Sequence, residues 1–68
     1  MTFGEKIREE RLKAGLTQQQ LADRLKVGNN QISQWETGKR KPKLLTLRKI
    51  AKAIGIPAGD MLRGVNQL

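Results

Sequence analysis

The stretch Thr17-Gln-Gln-Gln-Leu-Ala-Asp-Arg-Leu-Lys-Val-Gly-Asn-Asn-Gln-Ile-Ser-Gln-Trp-Glu36 decides the fold of this 68-residue chain. Taken as helix, Leu21, Ala22 and Leu25 fall at i, i+1 and i+4 and share a face. Lys26, Val27 and Gly28 interrupt that run, and Ile32 with Trp35 opens a second face at i, i+3. A straight helix would keep its phase across the break. Two apolar stripes on either side of a three-residue turn therefore predict two short helices that cross. The second helix has an unusual polar half: Asn29, Asn30, Gln31, Ser33 and Gln34 are all uncharged hydrogen-bonding residues, where a solvated helix would carry Lys and Glu.

Working outward, Thr2 and Glu5 have the spacing of a capping box, in which each side chain satisfies the other residue's free backbone N–H. Phe3, Ile7 and Ala14 fall near one face, with Leu12 beside it, and Gly15 supplies a left-handed stop. The first helix is expected over about residues 3–14. Thr17 and Gln20 make a second capping box, preceded by Leu16 as a staple, and begin a helix over about 18–25. The amide-rich helix should occupy about 29–36, with Gly28 as its cap and Gly38 beyond its end. Lys39-Arg-Lys-Pro-Lys43 is a basic loop, because Pro42 disfavours helix at the residue before it. Leu44, Leu47, Ile50, Ala51 and Ile54 recur at helical spacing and predict a fourth helix over about 44–54, ended by Gly55. A fifth, over about 58–63, buries Met61 and Leu62. The expectation is an all-α, five-helix domain over residues 1–64, with residues 65–68 as a frayed tail.

Composition narrows the function. Sixty-eight residues suffice for one domain, whose core must be compact and aliphatic. With neither Cys nor His, disulfides and the usual zinc sites are excluded, and so are thiol nucleophiles and the commonest general base. The six carboxylates are scattered, Ser33 has no evident base, and no glycine-rich phosphate loop is present. The expectation is no enzyme, no cofactor and no metal. No apolar run approaches a membrane span and no signal core is visible, so a soluble cytoplasmic protein is expected. A net charge of +8 on so short a chain costs self-repulsion that a polyanionic partner would relieve.

The residues Gly15-Leu-Thr-Gln18, Leu21-Ala22, Val27, Ile32-Ser-Gln-Trp-Glu36 and Gly38-Lys-Arg-Lys-Pro42 resemble the Cro/C1-type (XRE-like) helix-turn-helix family, to which the lambdoid phage repressors belong. The likeness runs from about Phe3 to about Leu62. It departs from the family pattern at Lys26, where glycine is usual, and a left-handed backbone there costs about 1 kcal/mol. The resemblance implies a lambda-repressor-like fold whose second and third helices form the helix-turn-helix. It also implies sequence-specific binding of double-stranded DNA by a transcriptional regulator, most often a repressor, that acts by occupying an operator.

An Asn or Gln amide donates and accepts together, which suits base edges and adenine in particular. By the resemblance, positions matching Asn29, Asn30 and Gln34 face the bases most directly, with Gln31 and Ser33 flanking. Gln18 matches a residue that clamps the DNA backbone at a helix N-terminus. Lys39, Arg40, Lys41 and Lys43 are solvated charges in the plain view and phosphate anchors in the functional one, which their place after the amide helix favours. Arg11 and Glu36 match the family's ion pair between the first and third helices. Trp35, in phase with Ile32, is a core residue before it is a stacking platform. Family analogy adds a homodimer on a pseudo-palindromic operator, with Met61, Leu62, Val65 and Leu68 as the apolar contact. The alternatives are a protein-interaction module of the same fold, such as an antitoxin or coactivator component, and a cationic membrane-surface protein whose apolar faces would have to be free for lipid.

Overall fold

The computed structural model describes residues 2–63 and 65. These form α1 (Phe3–Lys13), α2 (Gln18–Leu25), α3 (Asn29–Thr37), α4 (Leu44–Ile54) and α5 (Ala58–Leu62), with no strand among the described residues. None of these helices is long enough to persist alone in water, so each depends on the apolar face it buries. The largest fully buried side chains are Ile7, Leu21, Ile32, Ile50 and Met61, one from each helix. α3 packs on α1 and α2, and α4 packs on α2 and α5. α3 is thus lodged between its neighbours by Ile32 and by Trp35, which is only 6% exposed.

Local chemistry sets the helix ends. Both capping boxes form: Glu5 N–H donates to Thr2 Oγ1 at 3.1 Å and Thr2 N–H to Glu5 Oε1 at 2.9 Å. Gln20 N–H donates to Thr17 Oγ1 at 3.0 Å and Thr17 N–H to Gln20 Oε1 at 2.8 Å. The staple residue Leu16 is buried with Leu21. Lys26 closes α2 in the left-handed region (φ 58°, ψ 42°), as its place in the turn predicts. Its N–H and that of Val27 then satisfy the last carbonyls of α2.

Four apolar expectations are corrected. Leu12 is 56% exposed and Ala14 is also exposed, because the core-facing series of α1 is Phe3, Ile7 and Arg11; Ala14 lies beyond the last helical turn. A charged residue has taken the place of the last apolar one. Leu44 is 57% exposed, since the α5 residues beside it, Ala58 and Gly59, are too small to cover it. Met61 is fully buried in the core and cannot serve as a contact surface, while Leu62 and Val65 pack half-buried against it. Leu68, and the expected frayed tail apart from Val65, lie outside the described residues.

Candidate nucleic-acid interface

One helical turn orders the polar residues of α3. With Ile32 and Trp35 inward, Asn30 and Gln34 lie at i, i+4 on the opposite side. Asn29 and Asn30 are exposed at the open first turn, and Gln31, Ser33 and Gln34 are half-buried. Gly28 offers no side-chain cap, so the first-turn N–H groups of α3 have no side-chain partner from that residue. Gln31 is turned toward α4, where it lines hollows that also include Thr46 and Lys49. Among the described residues, none of the five amide and hydroxyl side chains donates a hydrogen bond to another side chain. The hydroxyl of Thr37, by contrast, folds back onto the carbonyls of Ser33 (2.9 Å) and Gln34 (3.4 Å).

The basic loop folds back beside this face. Gly38, with φ 83°, turns the chain in a conformation that a side chain would oppose, and Arg40 N–H then donates to the Gln34 carbonyl at 3.2 Å. Arg40, Lys41 and Lys43 line one hollow with Gln31 of α3 and Thr46 of α4. Lys39, Arg40, Lys41 and Lys43 are all exposed, and among the described residues no carboxylate lies within ion-pair distance of any of them. Four cations without counter-ions flank a row of amides. Thr46 and Lys49 were not singled out from the sequence; their signal, a polar edge on an otherwise apolar helix, becomes meaningful only once α4 is seen against α3.

The end of α3 is clamped. Arg11 Nε donates to Glu36 Oε2 at 2.7 Å and Nη2 to Glu36 Oε1 at 3.2 Å, a two-pronged pair whose side chains are 9% and 5% exposed. Arg11 Nη1 donates to the Leu16 carbonyl at 2.8 Å, so the buried guanidinium also ties down the α1–α2 turn. Gln18 Nε2 donates to Glu36 Oε1 at 3.1 Å. The expected Gln18 backbone clamp is therefore engaged from within, and an amide nitrogen with two hydrogens has one left for a phosphate. A second inter-helix tie was not foreseen: Arg24 Nη1 donates to the Ala53 carbonyl near the end of α4, at 2.8 Å.

An amide-bearing helix held by a preceding short helix, with uncompensated cations on the adjoining loop, defines a helix-turn-helix domain. The helix-turn-helix family model matches residues 7–61, and the chain belongs to that family, in its Cro/C1 (XRE-like) branch. It is similar to the transcriptional activator BcrR of Enterococcus faecalis, 39% identical over 64 residues, which cover 94% of this chain and 31% of that one. It is also similar to the cryptic phage CTXphi transcriptional repressor RstR of Vibrio cholerae, 37% identical over 60 residues, 88% of this chain and 54% of that one. Among solved structures it superposes on the restriction-modification controller protein C.AhdI from Aeromonas hydrophila with a TM-score of 0.81 and 30% identity, over 87% of this chain and 89% of that one. The chain spans about a third of BcrR and about half of RstR. Among the described residues no group of acidic side chains could hold a metal ion, and no helix is long and apolar enough to cross a membrane.

Proposed function

We propose that the chain is a sequence-specific double-stranded-DNA-binding domain of a cytoplasmic transcriptional regulator. The supporting observation is the hollow shared by Gln31, Arg40, Lys41, Lys43 and Thr46, together with the Arg40 N–H bond to the Gln34 carbonyl, which joins the cationic loop to α3. α3 enters the major groove with Asn29, Asn30 and Gln34 against base edges, flanked by Gln31 and Ser33. Gln18 and the loop hold phosphates, fixing register without reading sequence. No Arg or Lys lies between Asn29 and Trp35, so the common guanine contact is missing and half-sites should carry readable adenines.

Binding acts by occupancy, and repression is the outcome we favour. An activator and a repressor both stand among the relatives, so the sign of regulation rests on where the operator lies relative to the promoter. We further propose a homodimer on a pseudo-palindromic operator, with half-sites about 34 Å apart. The shallow apolar groove of Leu44, Leu47, Ala58, Gly59 and Leu62 is the surface for the second copy, in place of the buried Met61. A protein-interaction module of this fold would not need four free cations beside its amide helix, which places that alternative second.

The test is selection from random duplex DNA at two salt concentrations, with the Lys39→Ala/Arg40→Ala/Lys41→Ala/Lys43→Ala variant alongside. An enriched, adenine-bearing motif is expected. The variant should weaken all duplexes alike and make the log–log salt slope shallower by about 3.6, at about 0.9 per phosphate. Enrichment of nothing by the wild type would refute the DNA-reading function.

A further inference from the structure

Gly4, the second residue of α1, is buried in the crossing of α1 with the last turn of α3. A methyl group placed on it would overlap the carbonyl oxygen of Trp35, lie 2.6 Å from that of Glu36 and 2.9 Å from the Glu36 carbonyl carbon. These are backbone atoms, which no rotamer change can move aside. Normal carbon–oxygen contacts lie at about 3.3–3.6 Å, so a single methyl would push the end of α3 away by about 1 Å. The positive N-terminal end of one helix also meets the negative C-terminal end of the other here, which favours the close approach.

Three constraints thus converge on one turn. Arg11 and Gln18 hold the Glu36 carboxylate, while Gly4 sets how near the Trp35 and Glu36 main chain can come to α1. The base-reading side chains project from the same short helix, and Gln34 is separated from Glu36 by only Trp35. A recognition constellation has to be held within about 0.5 Å to work. We propose that Gly4 is a positioning residue for base discrimination: the missing side chain sets the depth at which α3 sits and hence the reach of Asn30 and Gln34. This rests on the base-reading role given to α3 above.

The experiment compares the full chain with Gly4→Ala and with Leu12→Ala, a charge-neutral change at a 56% exposed residue of the same helix. Affinity is measured for a duplex selected by the wild type and for a scrambled duplex of the same composition. The readout is the ratio of the two affinities. A smaller folded fraction weakens both by the same factor and cancels, so the ratio senses displacement of α3 and not stability. Gly4→Ala should lower the ratio roughly tenfold or more at an unchanged salt slope, since each lost bidentate contact is worth about 5- to 150-fold. Leu12→Ala should keep the ratio within about twofold.

If Gly4→Ala is unfolded in buffer, the ratio is taken in trimethylamine N-oxide, which favours the compact state. A variant that folds there and discriminates like the wild type overturns the proposal, and so does one that cannot be folded even there, because Gly4 would then be a folding determinant only. A wild type whose own ratio is near one overturns the base-reading role itself and this proposal with it; that outcome is seen in a different arm of the experiment.

Discussion

Replacing Glu36 with alanine is the sharpest test of how α3 is held. Arg11 is 7% exposed, and among the described residues its guanidinium pairs with one carboxylate, that of Glu36, through two hydrogen bonds of 2.7 and 3.2 Å. Removing the carboxylate leaves a buried cation with only the Leu16 carbonyl, and leaves the Gln18 amide without its acceptor. Breaking one side of a buried pair costs about 3–5 kcal/mol. The bond that survives to Leu16 argues for the lower end. A chain of this length has a total stability of roughly 3–10 kcal/mol, so the loss is a large share of the whole. At about 4–8 °C per kcal/mol, a melting point lowered by roughly 12–24 °C is expected.

The assay is built in, because Trp35 is the single tryptophan, is almost wholly buried and adjoins Glu36. Its emission in urea follows unfolding where the damage is done. Arg11→Met with Glu36→Met, which removes both charges and keeps apolar volume, should recover most of the stability lost in Glu36→Ala. A loss below about 1 kcal/mol, as for an exposed pair, would refute the claim that this interaction is desolvated.

Other outcomes follow from single sites. Asn30→Ala and Gln34→Ala should each remove about 1–3 kcal/mol of discrimination at one operator position, leaving the salt slope as it was; competition binding against single-base operator variants checks this. Lys26 sits at φ 58°, so Lys26→Gly should relieve left-handed strain and stabilise the fold by up to about 1 kcal/mol in urea titrations, with DNA discrimination unchanged. The Glu5 carboxyl is held below its ordinary value of 4.5, chiefly by the Thr2 backbone N–H and then by the Thr2 hydroxyl. A depressed carboxylate contributes stability that is present above pH 4.5 and fades as pH falls through the lower folded value. Melting temperatures of Glu5→Gln should therefore fall less steeply than the wild type's across that acid range, and parallel curves would count against the capping box as a stabilising device.

Much of this architecture was legible because the signals were local. Both capping boxes, the left-handed Lys26 and the break between α2 and α3 follow from neighbours within four residues, and the helices begin and end within one residue of expectation. The apolar face of α1 was harder to place. Its third core position is Arg11, which hydropathy assigns to solvent and only a partner 25 residues away makes tolerable. Leu44 keeps perfect helical phase with Leu47 and is still exposed, since whether a stripe is covered depends on the size of the side chains opposite. The turning of Gln31 toward α4 and the inward hydrogen bond of Gln18 are of the same kind. A residue type states what a side chain can bond to, and the packing of a third helix decides what it meets.

That distinction bears on how grip and reading are divided. The cations lie on a loop joined to α3 by the Arg40–Gln34 backbone bond, and in the proposed complex their long flexible side chains would reach phosphates over a range of positions. The amides are short, and their hydrogen bonds tolerate little misplacement. Affinity should therefore be robust to small movements of α3, whereas discrimination should depend on residues that never touch DNA, namely Gly4, Arg11 and Glu36 at the far end of the same helix. A variant that loosens that end would still bind DNA and would occupy many sites nearly alike. Under the occupancy mechanism proposed above, this is a loss of function with the proposed DNA-contacting residues intact.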